Sequence, residues 1–250
     1  MSSPESGPGK DYRRSHLAPE IGESYDAAFV NDPYRHLVWG LEQRILDRIL
    51  AEGFADRDIR HLDFACGTGR ILSHVADRAR VSVGVDVSPS MLAVAKRNCG
   101  RSEIRLADLT ADDILGERQF NLITAFRFFP GAQPALRDEA MRVLVRHLDG
   151  DGRLVFNNHR NLASAKYRLS RLLGRGGHDG MSPAEVSGLV SGNGLEIEKS
   201  YALAFTPATD KRLILPLALL TGLEGILSKF PPIKRWGEDM IFVCRRPDGA

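Results

Sequence analysis

The chain has 250 residues, of which 43% are hydrophobic and 26% charged. That is the composition of an ordinary globular protein, long enough to bury a large core within one domain. A formal net charge of +2 excludes a polycation built chiefly to hold nucleic acid. Three scattered cysteines, Cys66, Cys99 and Cys244, form no C-x-x-C pair and no Cys/His zinc spacing, so no metal site and a reducing, cytoplasmic setting are expected.

Residues 1–20 open with a Ser-, Pro- and Gly-rich run that lacks the apolar core of a signal peptide, and they read as a disordered tail. Residues 21–250 read as one domain, with cap helices over 21–53, a ligand-binding half over 54–160 and a less regular half over 161–250. From Tyr34 to about Gly53 the pattern is helical. Leu37, Leu41, Ile45, Leu46, Ile49 and Leu50 share a stripe, and Glu42, Arg44, Asp47 and Arg48 lie off it.

A strand is expected over 61–65, then a glycine turn, then a helix to about Asp77. Val81–Asp86 reads as a second strand, followed by Ser88-Pro89 as N-cap and N1 of a helix from Met91 to Arg97. Ile104–Ala107 and Phe120–Phe126 read as the third and fourth strands. Pro134 opens a helix with Leu136, Ala140, Val143, Leu144 and His147 on one stripe and Arg137 off it. Asp149–Gly152 reads as a turn before a fifth strand over 153–157. Leu162–Leu173 reads as a basic helix and 174–180 as a loop. Ser182-Pro183-Ala184-Glu185 is a capping box that starts the next helix. Strands over 195–205 and 240–244 flank an apolar helix over 213–230. Glu224 and two glycines interrupt that apolar run, and it falls short of a membrane span. A lid or a homodimer contact is its expected use. Alternating strands and helices make the fold class α/β, a doubly wound, mostly parallel sheet.

The candidate chemistry lies at the strand ends. Asp63, Asp86 and Asp108 close three successive strands and would share the C-terminal rim where such sheets bind ligands. Asp86 follows Gly69 at an offset suited to a carboxylate gripping ribose hydroxyls. The loop reads Asp63-x-Ala65-x-Gly67-x-Gly69. Leu72 stands where a dinucleotide binder needs its third small residue, and no Walker lysine is present, so dinucleotides and nucleoside triphosphates are disfavoured. Each acid also has a plainer reading as a cap or turn residue. Cys66 reads more readily as a buried filler than as a nucleophile.

Asp63–Gly69 resembles motif I of the class I S-adenosylmethionine-dependent methyltransferases. Gly84–Leu92 resembles that family's acidic loop and following helix, Ala107-Asp108-Leu109 its adenine-side motif, and Phe120–Phe126 its fourth-strand motif. The resemblance covers roughly residues 55–160. It departs at Ala65, where the family usually has glycine and where slightly less room is expected.

The resemblance implies a Rossmann-like seven-stranded sheet with an antiparallel C-terminal edge hairpin, and S-adenosylmethionine as cofactor, leaving S-adenosylhomocysteine. It also implies roles for individual residues. Asp63 and the Ala65-Cys66-Gly67 backbone, with Gly69, hold the methionine end. Asp86 takes the ribose, and Val87 and Met91 pack near the adenine. Ala107 and Asp108 meet the adenine amino group, with Leu109 against the ring. Phe126 sits beside the sulfonium and Tyr25 covers the methionine carboxylate.

The expected acceptor is a small molecule, with a hydroxyl of a secondary metabolite or sugar as the leading reading, chosen by the half over 161–250 with its lid segments. A hydroxyl needs a base, for which His159 and His178 are the candidates, and Arg127 could orient an anionic or carbonyl-bearing acceptor. An amine or carbon acceptor needs no histidine. The rival readings are an RNA or protein methyltransferase and a non-catalytic adenosyl-ligand binder.

Overall fold

The computed structural model describes residues 12–14, 18–174, 179–205, 215–228 and 230–248. Most of the expected tail, His178, and residues 213, 214 and 229 of the apolar segment lie outside these. A 3-10 turn, Tyr12–Arg14, is followed by α1 (Ile21–Asn31), α2 (Pro33–Phe54), β1 (Ile59–Phe64), α3 (Arg70–Ala76), β2 (Ala79–Asp86), α4 (Pro89–Asn98), β3 (Glu103–Leu106) and β4 (Phe120–Ala125). The chain continues with α5 (Pro134–His147), β5 (Leu148–Asn158), α6 (Ala165–Leu172), α7 (Pro183–Gly192), β6 (Glu196–Leu203), α8 (Leu217–Leu227) and β7 (Asp239–Arg245).

Seven strands form one sheet in the order β3-β2-β1-β4-β5-β7-β6. β1 to β5 pair in parallel, and β7 runs antiparallel between β5 and β6. This is the expected doubly wound sheet with an antiparallel edge. The strand order reverses between β1 and β4, and that switch point opens a crevice at the C-terminal rim.

Both faces are covered. Apolar residues of α2 and α3, among them Leu46, Ile49, Leu50, Ile71 and Val75, pack on one face with Leu122 and Val155. Leu136, Met141 and Leu144 of α5 and Val186 and Val190 of α7 pack on the other with Phe120, Ile123 and Phe156. Asp32 caps α2 by accepting from the Tyr34 and Arg35 amides, ahead of Pro33 at N1. The Ser182/Glu185 capping box forms as expected. α1 lies against α4 so closely that a Cβ on Gly22 would stand 2.3 Å from the Ser90 carbonyl oxygen.

The structure departs from the sequence reading at several places. The tail is ordered at Tyr12–Arg14, because Tyr12 packs edge-on against Phe128 and donates from its hydroxyl to the Arg127 carbonyl at 3.0 Å. Asp149–Gly152 is not a turn but the start of β5. Leu148 pairs with Phe120, a bulge follows, and Arg60 holds Asp149. Glu42 and Arg137, both off the apolar stripes, are buried. Arg137 donates to the Phe129 and Pro130 carbonyls, and Glu42 belongs to the cleft described below. α8 is shorter than expected, since Pro216 stands at its N-cap, and Glu224 is buried and accepts from the Phe205 amide at 3.1 Å.

Candidate active site

A cleft of about 980 Å³, counted out to its open mouth, lies at the switch point. Of the residues singled out from the sequence, Tyr25, Asp63, Ala65, Cys66, Gly67, Asp86, Val87, Met91, Ala107, Asp108, Leu109, Phe126 and Arg127 all line it. Gly69 instead starts α3 at φ 82°, where a Cβ would stand 2.5 Å from Cys99 Sγ. His159 follows β5 and is not among the lining residues.

The three acids at the strand ends have different surroundings. Asp86 accepts from the Gly67 amide through Oδ2 and from the Ser88 amide through Oδ1, each at 2.8 Å. It thereby ties the glycine loop to the turn after β2. Asp108 accepts from the Thr110 amide and hydroxyl at Oδ1 and from Arg13 Nε at Oδ2, 2.7 Å away. Partial burial alone would raise its pKa, but Thr110 and Arg13 hold it below the ordinary carboxylate value. Asp63 is buried. Thr124 donates to its Oδ1 at 2.6 Å, while its Oδ2 is buried without a hydrogen-bond partner. Burial pushes Asp63 up to about 7, opposed by the Thr124 hydroxyl, the Leu72 amide and Arg70.

Ala65 has φ 54° and Arg127 φ 62°, both in the left-handed region. At Ala65, glycine's advantage is therefore conformational, and the expected loss of room is not the main cost of alanine there. At Arg127 the turn at the end of β4 is pinned from two sides. Its amide donates to Asn157 Oδ1 at 2.6 Å, and its carbonyl accepts from Tyr12.

A charged cluster not anticipated from the sequence closes one end of the cleft. Glu42 of α2, 0% exposed, faces Arg127 Nη2 at 3.3 Å and Arg70 Nη1 at 3.6 Å. The Arg70 guanidinium lies 3.5 Å from the Phe29 ring centroid and 4.8 Å from that of Trp39, and Arg127 lies 5.1 Å from Phe29. Burial lowers the pKa of Arg70. At Arg127 burial, the largest single influence, also lowers the pKa, but Glu42, Tyr25, Asp239 and Tyr34 together outweigh it and raise the value. Phe29 thus serves as a platform for both arginines, a role that nothing local in the sequence announces.

Burial raises the Cys66 thiol well above its ordinary value, which suits a filler and not a nucleophile. Among the described residues no group of three metal-binding side chains occurs, and no helix is long and apolar enough to cross a membrane.

This cleft, at the C-terminal rim of a 3-2-1-4-5-7-6 sheet, is lined by three carboxylates, Asp63, Asp86 and Asp108, and by Arg13, Arg70 and Arg127. Residues 62–152 match the family model described as a methyltransferase domain. This family model and the structural neighbours are those of class I S-adenosylmethionine-dependent methyltransferases, which this part of the chain resembles in sequence and the whole sheet resembles in fold. A curated relative, the dTDP-3-amino-3,6-dideoxy-alpha-D-glucopyranose N,N-dimethyltransferase of Streptomyces fradiae, is 35% identical over 96 residues. That match spans 38% of this chain and 37% of the relative's length. The fold is shared with an S-adenosylmethionine-dependent methyltransferase from Thermotoga maritima at TM-score 0.62 and 13% identity, covering 90% of this chain and 95% of that one. It is also shared with the magnesium protoporphyrin IX methyltransferase of Synechocystis, solved with bound S-adenosylhomocysteine, at TM-score 0.55 and 15% identity. There the coverage is 82% of this chain and 83% of that one.

Proposed function

We propose that this chain transfers a methyl group from S-adenosylmethionine to a small-molecule acceptor in the cytoplasm. The observation that carries the reading is the buried, unpartnered Asp63 Oδ2 in a cleft that also presents Asp86 and Asp108. An amino-acid ammonium, a ribose diol and an adenine amino group are three donors, and these three acids are matching acceptors.

In this reading Asp63 pairs with the ammonium, and the Ala65-Cys66-Gly67 backbone lies along the methionine end. Asp86 takes the ribose hydroxyls, and Val87, Met91 and Leu109 pack about the adenine with Ala107. Asp108 accepts its amino group. Phe126 lies beside the sulfur. Arg70, which the sequence reading missed, joins Tyr25 at the carboxylate end. When bound, S-adenosylmethionine supplies a methyl group on a sulfonium, open to in-line attack. The chain's own contribution is alignment, which accounts for much of the rate in such transfers.

Two acceptor atoms fit the proposal. A hydroxyl would need a base such as His159 brought to the cleft, because a protonated alcohol is a poor nucleophile. A neutral amine needs none. The amine is favoured by the absence of histidine among the described lining residues and by the sugar amine acted on by the 35%-identical relative. Arg127 then orients the acceptor's polar group, and the half over 161–250 selects the molecule. A homodimer contact through residues 213–230 belongs to the same proposal.

The test incubates the protein with methyl-labelled S-adenosylmethionine and panels of amino sugars, hydroxylated metabolites, RNA and protein. The expected result is label in a small molecule, on nitrogen. Label on oxygen would restore the hydroxyl reading, label in RNA or protein would replace the small-molecule reading, and cofactor binding without transfer to any panel would point to a non-catalytic binder.

A further inference from the structure

We propose that Thr124 and His61 are positioning residues that hold Asp63 for the amino-acid end of the cofactor, the inner links of a buried chain Ser82–His61–Thr124–Asp63. The proposal rests on the cofactor reading above. Asp63 of β1 lies directly beside Thr124 of β4, and His61, two residues back on the same face, lies beside Ser82 of β2. His61 thus reaches Ser82 directly and Thr124 on the diagonal. The distances are 3.2 Å from Nδ1 to Ser82 Oγ, 2.8 Å from Nε2 to Thr124 Oγ1, and 2.6 Å from Thr124 Oγ1 to Asp63 Oδ1. None of the four residues is more than 7% exposed.

A hydroxyl carries one proton, and that fixes the direction of the chain. Thr124 spends its proton on Asp63, so it accepts from His61, which then carries its proton on Nε2. His61 Nδ1 accepts in turn from the Ser82 hydroxyl. The imidazole is neutral, and burial holds its pKa down to about 3. Every donor in the chain points toward Asp63. That arrangement favours the ionised carboxylate against the cost of its burial. It also fills Oδ1 and leaves Oδ2 as the oxygen without a partner. Apolar side chains at 61 and 124 would serve the sheet equally well. The polar chain is therefore accounted for by the carboxylate it orients.

The test compares two probes by isothermal titration. S-adenosylhomocysteine carries the amino-acid end, and 5′-methylthioadenosine shares the adenosyl thioether without it. Thr124→Val is expected to weaken S-adenosylhomocysteine about tenfold, the worth of a hydrogen bond to a charged group, while changing methylthioadenosine by less than about twofold. His61→Phe is expected to act in the same direction, and Thr124→Ser to restore wild-type affinity. The midpoint of the pH dependence of S-adenosylhomocysteine binding should move upward in Thr124→Val. Equal weakening of both probes, or unchanged S-adenosylhomocysteine affinity and pH midpoint, would overturn the positioning role while leaving the cofactor reading in place. A wild-type protein that binds neither probe would overturn the cofactor reading, and the positioning role with it.

Discussion

The Asp86 carboxylate accepts the Gly67 amide at 2.8 Å, so the acid that ends β2 holds the glycine loop that ends β1. With its second bond to the Ser88 amide, this side chain organises two of the cleft's walls before any ligand arrives.

Asp86→Ala should therefore do two things. Cofactor affinity is expected to fall at least about tenfold, as the loss of charge-assisted bonds to a ribose requires. Stability should also fall by about 1–2 kcal/mol, because two backbone amides lose their acceptor. Titration with S-adenosylhomocysteine and urea unfolding measure the two effects. Unchanged affinity would remove the ribose assignment.

With Asp63 paired to the cofactor's ammonium, as proposed above, binding is expected to depend on pH. The Asp63 pKa in the folded, ligand-free protein is raised from 3.8 to about 7, chiefly by burial. The groups facing it are Thr124, the Leu72 amide, Arg70 of α3 and Asp86 of β2, with Cys66 and Cys99 close enough to feel its charge and His61 one hydrogen bond further on. Because the folded value lies above the unfolded one, this group's ionisation lowers the stability of the ligand-free protein as pH rises from about 4 to 7. Ligand affinity runs the other way, since pairing with an ammonium needs the ionised form. S-adenosylhomocysteine binding is expected to weaken about tenfold from pH 8 to pH 6. In Asp63→Asn that slope should vanish, at lower affinity throughout.

Glu42 is the shared counter-charge of Arg70 and Arg127. Glu42→Gln leaves two buried guanidinium groups without it and is expected to cost about 3 kcal/mol in urea unfolding. Asp239, whose pKa is raised by burial and then by Glu42, ionises more readily once position 42 is neutral and offsets part of the loss. A change below about 0.5 kcal/mol would show that the cluster carries no such charge balance.

Ala65 occupies left-handed backbone at φ 54°. Glycine removes a strain of about 1–2 kcal/mol there and adds about 0.4–1 kcal/mol of unfolded-chain entropy. Ala65→Gly should thus stabilise the protein by about 0.5–1 kcal/mol, seen as a rise of a few degrees in the thermal midpoint. Destabilisation would mean that the methyl group packs against something worth more than the strain.

The parts of the site visible in the sequence are those written within a few residues. A strand ending in Asp86, with Ser88-Pro89 beginning a helix two residues later, is a local pattern, and so is Asp63-x-Ala65-x-Gly67. The hidden parts depend on register and on distance along the chain. Glu42 reads as a solvent-side residue because its helix pattern shows only what is apolar, and its partner Arg127 lies 85 residues away. His61 looks like one more member of an apolar run until β2 and β4 bring Ser82 and Thr124 beside it. Asp149–Gly152 carries the composition of a turn, yet sheet pairing at Leu148 and the Arg60–Asp149 ion pair draw it into β5.

The most direct measurement is titration of the purified wild-type chain with S-adenosylhomocysteine at pH 8. One site per chain with a dissociation constant of about 1–100 µM is the expected result, in the range of working enzyme–substrate affinities. No detectable binding at about 1 mM ligand would contradict the assignment of this cleft to the adenosyl cofactor.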